Sequence, residues 1–299
     1  MRGLGWALAA LALALTAGCH SVPVTTSTAG LESAQGVADA AGLYWEAKGV
    51  PEIPHGERVT AAIVEFTVEY VTVKLQGVTK SQPVVFGTEY STAGFVATTV
   101  GLGKETYTFS KELKTALPDV MYEEFVRQLT ERGFDVLPQE TVTAGKSYAL
   151  FSKRKAGSTG AFQGLNVTGS DTGNPKRIEV YPAGVLSVLG YGRDVSINRA
   201  MRETARELGV DVVLRARFRL GAYGELASIE RDSLMWVATA DEVGELRSAR
   251  SLVSPESAAE YKGFTLFSGQ RYTVDADKYA AAIKEMFGSY VAMEVMQME

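Results

Sequence analysis

The chain has one cysteine and two histidines in 299 residues. With Cys19 alone, no disulfide forms within the chain and a cysteine zinc cluster is excluded. His20 and His55 are the only imidazoles, one beside that cysteine and one in the loop-like stretch VPEIPHGER. A Ser-His-Asp triad would have to use His55, and a zinc site built on several histidines is ruled out. The phosphate loop GxxxxGK[ST], a GxGxxG after a strand and the haem motif CxxCH are all missing. No apolar run reaches the about 20 residues that cross a bilayer as a helix. Thirty basic and 35 acidic residues leave a net charge of −5, which is not the footprint of a general nucleic-acid binder. Carboxylates, Ser, Tyr and Lys remain as catalytic material, and no motif organises them.

What is present starts at the N-terminus. Met1 and Arg2 precede a run of small and apolar residues from Leu4 to Leu15, the form of a secretory signal. The run ends in LTAGCHS, residues 15–21. Small residues followed by Cys19 resemble the lipobox of bacterial lipoproteins, with Thr16 where leucine is more usual. The resemblance implies that residues 1–18 are a signal peptide and that Cys19 carries a diacylglycerol and a fatty acyl chain. No other cofactor and no metal is expected. Each buried acyl methylene contributes about 0.8 kcal/mol, so several chains hold a protein on a membrane. His20, not aspartate, follows the cysteine. By resemblance to sorting in Gram-negative bacteria, that implies the periplasmic face of the outer membrane. The mature chain would then have 281 residues, enough for one large domain, and a net charge of −6 on losing Arg2.

Residues 19–57, rich in Ser, Thr, Ala, Gly and Pro, read as a tether. LESAQGVADAAGLYWEAKG within it suggests a helix presenting Leu43, Tyr44 and Trp45 to the body. From Val59 the residues alternate, with Val64, Phe66, Val68 and Tyr70 on one side and Glu65, Thr67 and Glu69 on the other, as in a strand. An insertion at about 76–110 reads as a hairpin or extended loop outside the core sheet. Met121, Tyr122, Phe125, Val126 and Leu129 recur at helical spacing, with Pro118 in the first turn and Gly133 past the end. Phe134 to Leu137 make a short strand. A Gly- and Ser-rich insertion at 152–194 carries the basic stretch SKRK and a small hairpin. Ile197, Met201, Ala205 and Leu208 form a second helical stripe. Three strands follow, VDVVLRARFRL, RDSLMWVATA and LRSARSLV, as an antiparallel meander with a tight turn at Gly244. The chain ends in an amphipathic helix with Tyr279, Ile283, Met286, Phe287 and Tyr290 inward, capped by Asp275 or Asp277. Residues 58–299 therefore form a single α/β domain, an α+β sandwich with a mixed sheet and helices packed against it.

Three features resemble the periplasmic domain of the curli-secretion lipoprotein (CsgG-like) superfamily. They are a lipobox ahead of the AAIVEF strand, a helix ending in LTERGFDVLP, and ARELGVDVVLRARF leading into a meander with TADEVGEL. They cover residues 59–75, 113–138 and 196–253. The family's two membrane hairpins have no clear counterpart. RLGAYGELASIER is too short for a pair of spanning strands of about 9 to 11 residues each, and SPESAAEYKGFTLFSGQRYTVDADK carries charges without lipid-facing alternation. The resemblance implies a soluble periplasmic relative.

Among candidate sites, Arg215, Arg217 and Arg219 share one face of a strand. They read either as a surface for an anion or acidic partner, or as a solvated face with Asp and Glu partners. Glu225, Glu230 and Asp232 would suit glycan hydrolysis only if a cleft held two of them at about 5 to 10 Å. The function expected is a non-enzymatic binding or assembly factor of an envelope or secretion complex, held by the membrane through its anchor. Its partner is an envelope protein or another copy, not nucleic acid. The alternatives are an oligomeric secretion-channel component and a cell-wall glycan enzyme.

Overall fold

The computed structural model describes residues 24–25, 45–53, 58–75, 104–157, 177–189, 194–265, 268–296 and 298. Cys19, the signal peptide and residues 76–103 lie outside the described residues.

The elements run β1 (Val24–Thr25), β2 (Trp45–Lys48), β3 (Val59–Leu75), β4 (Lys104–Thr108), α1 (Lys111–Glu131), β5 (Phe134–Val136) and α2 (Gln139–Ala144). A 3-10 turn at Ser147–Leu150 leads to β6 (Lys153–Arg154), β7 (Arg177–Pro182), β8 (Val188–Leu189) and α3 (Asp194–Leu208). Then come β9 (Val212–Tyr223), β10 (Leu226–Ile229), β11 (Leu234–Ala238), β12 (Val243–Ser248), β13 (Ser251–Ser257), β14 (Ala259–Thr265), β15 (Gly269–Val274) and α4 (Ala276–Met296).

The fold is α+β. A mixed sheet of 13 strands is built around the parallel pair β3 and β9. Both strands are buried on both faces, as central parallel strands are. One face lies under α1 and α4. There Phe66 meets Phe125, Phe218 and Phe287 at ring separations of 5.3–6.4 Å. The other face begins under α3, where Ile197, Met201 and Ala205 pack with Ala62, Val64 and Val213. No described helix is long and apolar enough to cross a membrane.

Several expectations are met in detail. The five inward residues of α4 are buried, and the Asp275 carboxylate accepts from Lys278 N at 3.2 Å. Met121, Phe125 and Leu129 are buried on α1. Gly133 and Gly209 close their helices with positive φ, which a residue with a Cβ adopts only with strain.

Others are corrected. Val64 does not share a face with Phe66. A bulge shifts the register between Ile63 and Glu65, so Val64 joins the α3 side and the alternation restarts in the opposite phase. Trp45 lies in strand β2, not a helix. It is 1% exposed, and its indole N–H donates to the Tyr290 carbonyl at 3.2 Å. The region read as a tether is therefore partly sheet, with β2 on β12 and β1 on β13. Helix α1 starts at Lys111 behind Ser110, whose hydroxyl accepts from Leu113 N at 3.1 Å, so Pro118 falls inside the helix. β4 and β7, from the two expected insertions, join β3 in the main sheet. The antiparallel order β9, β11, β12 is present as expected, with β10 also on β9 and β13 on β10, but Gly244 lies within β12 rather than in the turn. A Cβ there would stand 2.0 Å from the Gly49 carbonyl oxygen, so glycine is needed for the chains to approach.

Candidate functional site

The parallel register of β3 and β9 sets Glu65 beside Arg215, Thr67 beside Arg217 and Glu69 beside Arg219. All point away from α1 and α4. Glu65 is fully buried and receives the Arg215 Nε and, at 3.0 Å, an Arg217 Nη2. It also accepts from the Leu189 backbone N–H at 2.8 Å, and Arg217 donates back to the Leu189 carbonyl. The β8 segment is thereby tied to the central pair. Trp236, paired with Arg215 from β11, lies 4.1 Å beneath that guanidinium. One step along, Arg219 bonds Glu69 at 2.7 Å and reaches outward to Asp232 at 3.2 Å. Further on, the Lys74 ammonium meets Glu230 at 2.5 Å, donates to the Ala222 carbonyl at 2.8 Å and sits over the Tyr223 ring. Burial and the nearby Glu230 charge push the Tyr223 hydroxyl up to about 12.

Four cations thus face four carboxylates along one sheet face. Ion pairs this deep repay their desolvation only through good geometry and further hydrogen bonds, and Glu65, with two arginines and the Leu189 N–H, has both. Arg215 and Arg217 are 2% and 4% exposed, so neither the accessible anion surface nor the solvated face describes them. Arg219 alone approaches solvent. The carboxylates Glu225, Glu230 and Asp232 have separate engagements. Glu230 is held by Lys74 and Ser228, and Asp232 by Arg219. Glu225 lines a shallow cleft with Ser257, Glu260, Asp275 and Lys278. Lys153 and Arg154 of the SKRK stretch form β6, with the Lys153 ammonium over the Tyr148 ring.

A second feature escaped the sequence reading. β14 is the end strand of the sheet order and pairs, among the described residues, with β15 alone. Tyr261 pairs with Tyr272 and Phe264 with Gln270. Tyr272 and Gln270 lie two apart on β15 and share a face, so a bulge at Lys262 places Tyr261 and Phe264 together on that face. The Tyr261 ring is 5.5 Å from that of Tyr272, which stacks on Tyr107 of β4 at 5.2 Å. Burial and the Glu105 charge hold the Tyr107 hydroxyl far above its usual range. An aromatic row therefore runs from the buried Tyr107 to Tyr261 and Phe264, which are 46% and 41% exposed. The one signal in the sequence was EYKGF itself, where a glycine follows two charges flanking an aromatic.

No protein-family model matches the chain, and neither a curated protein nor a solved structure matches it.

Proposed function

We propose that this chain is a lipoprotein of the Gram-negative outer membrane, anchored through an acylated Cys19 on the periplasmic face. It works as a binding or assembly factor for an envelope or secretion complex, not as an enzyme. The observation that carries this reading is the β14 edge with Tyr261 and Phe264 on one face. Glu260, Lys262 and the bulge guard the backbone of this edge against strand addition, whereas its exposed aromatic face is of the kind that anchors protein interfaces. Here the sheet ends in an aromatic row, with Tyr261 and Phe264 exposed on one face. The partner expected is an envelope protein.

A photocrosslinking residue at Tyr261 or Phe264, in cells, tests the reading. A discrete adduct with one envelope protein is expected, with none from Leu150, which is 55% exposed elsewhere. Equal labelling from all three positions would refute it. Mass spectrometry of the N-terminal peptide tests the anchor. A second reading, an oligomeric CsgG-like secretion component, draws on one observation. β15 lies parallel to β4, so the β14–β15 hairpin stands beside the β3–β4 pair in one four-stranded wall. With seven and six residues, β14 and β15 fall short of the about 9 to 11 that span a bilayer. Adducts solely between copies, with a ring-sized mass in detergent, would favour that second reading.

A further inference from the structure

We infer that one rim of the sheet, formed by the 230–233 and 248–250 turns, rests against the phospholipid surface with Arg231 and Arg250 on lipid phosphates. The inference rests on the acylation of Cys19 proposed above. The chain is captured early. Val24 and Thr25 pair in parallel with Ser251 and Leu252 of β13. Because the pairing is parallel, the chain preceding Val24 leaves past the start of β13, where these turns lie. Five residue steps separate Cys19 from Val24. At full extension they reach at most about 18 Å. Acyl chains on Cys19 therefore hold this rim at the headgroups, rather than letting the body range over the length of a 39-residue linker, residues 19–57.

The rim is built as a unit. The Arg231 backbone N–H donates to the Ser251 hydroxyl at 2.9 Å, Asp232 N to the Ser248 carbonyl at 3.3 Å, and Ser248 N to the Ser233 carbonyl at 2.9 Å. Asp232 holds φ at 76°, a left-handed conformation that shapes the turn. Of the rim's carboxylates, Glu230 is drawn inward to Lys74, while Asp232 is exposed and its charge is offset by Arg219, which reaches out to it at 3.2 Å. Arg231 and Arg250, both partly exposed, leave the rim with a positive excess, because Asp232 is already matched by Arg219. Two guanidiniums beside the emerging anchor match the phosphates of anionic phospholipid. β13 then runs seven residues, roughly 23 Å, away from this rim before β14 begins. The same attachment that brings Arg231 and Arg250 to the lipid holds the aromatic edge off it, open to the periplasm.

The test uses the full lipidated chain in vesicles of phosphatidylethanolamine and phosphatidylglycerol that contain a headgroup-quencher lipid. With Cys19 acylated, Ala249→Cys and Tyr261→Cys each provide a single thiol for a fluorophore. Strong quenching at position 249 and little at 261 is expected. Charge removal in Arg231→Gln/Arg250→Gln, read with the 249 label, is expected to reduce quenching at least twofold. The label's quenching in the native background should also fall when phosphatidylcholine replaces the anionic lipid. Equal quenching at both positions, or more at 261, would overturn the inference while leaving the anchor intact, provided the protein floats with the vesicles and carries acyl chains. A protein without acyl chains would overturn the anchor reading and this inference together. Unchanged quenching in the double variant would overturn the role of the two arginines.

Discussion

Glu294 is the sharpest test of the packing. It lies on α4 one turn after Tyr290, is fully buried, and neither carboxylate oxygen has a hydrogen-bond partner among the described residues. Burial raises its pKa well above the ordinary carboxylate value. In the folded chain the proton is therefore retained at pH values where the unfolded chain releases it. The sign follows from proton binding. The folded state binds more protons at this group, so its contribution to stability is fully present below about pH 4.5 and is lost as pH rises toward the folded pKa. Across that window the slope is about 1.4 kcal/mol per pH unit for this one group. Glu294→Gln removes the titration and should flatten the profile. Glu294→Leu also removes the unsatisfied polar atoms, and at neutral pH should stabilise by about 1–3 kcal/mol. Trp45 reports on the site, because its ring centroid lies 5.0 Å from that of Tyr290. Urea midpoints by tryptophan fluorescence, from pH 5 to pH 8 in both variants and the parent, decide the matter. Parallel pH profiles for the parent and Glu294→Gln would refute the reasoning, as would a Leu variant less stable than the parent at every pH.

Glu65→Ala strands Arg215 and Arg217 in the interior, and should lower stability by about 3–5 kcal/mol in the same urea assay. A loss under about 1 kcal/mol would mean that the pair is not buried as described. Gly244→Ala drives a Cβ into the Gly49–Val50 backbone, with contacts at 2.0–2.4 Å, so β2 must move off β12. A red shift of Trp45 emission and faster proteolysis before residue 58 are expected. Ser110→Ala removes the cap of α1 and should cost about 1 kcal/mol, read as a shift in the urea midpoint at constant slope.

The three long helices were legible because each presents an apolar stripe to one surface, whereas the six-residue α2, with Val142 alone buried, was not. Ile197, Met201 and Ala205 needed only period counting, as did Tyr279, Ile283 and Met286. The strands were less legible for specific reasons. Period two predicts a constant face only where no bulge intervenes, and the shift before Glu65 reverses the phase of β3 midway. Gly244 looked like a turn glycine because its real reason, the approach of Gly49 from nearly two hundred residues upstream, is not local. Trp45 was expected to face the body from a helix, and its strand form follows from pairing with β12, about two hundred residues away, which the local residues do not encode. The arginines alternated as in a solvated antiparallel strand. Their burial depends on β3 lying alongside in parallel, and no pattern within residues 212–220 encodes the neighbour. The β14 edge was hidden for a related reason, since which strand ends a sheet is a property of the whole pairing order.

The position of the charge layer follows from unequal lengths. β3 has 17 residues and extends roughly 56 Å, whereas α3 has 15 and covers about 22 Å. The helix shields Ala62, Val64 and Val213 and then runs out. Beyond it β3 continues between neighbours on the same face, and the side chains there change from apolar to ionic at Glu65. A parallel pair gains nothing from a tight turn to set its register, so the register must come from side chains. At the start, the Asp211 carboxylate accepts from both the N–H and the hydroxyl of Thr60 at 2.7 Å, which pins the first rung. Glu65 with Arg215 and Arg217, Glu69 with Arg219, and Lys74 with Glu230 repeat the constraint along the strand. A slip of one residue would turn the charges of one strand toward the aromatic core under α1 and α4 and leave their partners on the opposite face. The buried charges thereby act against the wrong pairing more than they add to the right one. The surfaces proposed above for a partner and for lipid, the β14 edge and the rim at Arg231 and Arg250, lie outside this lock.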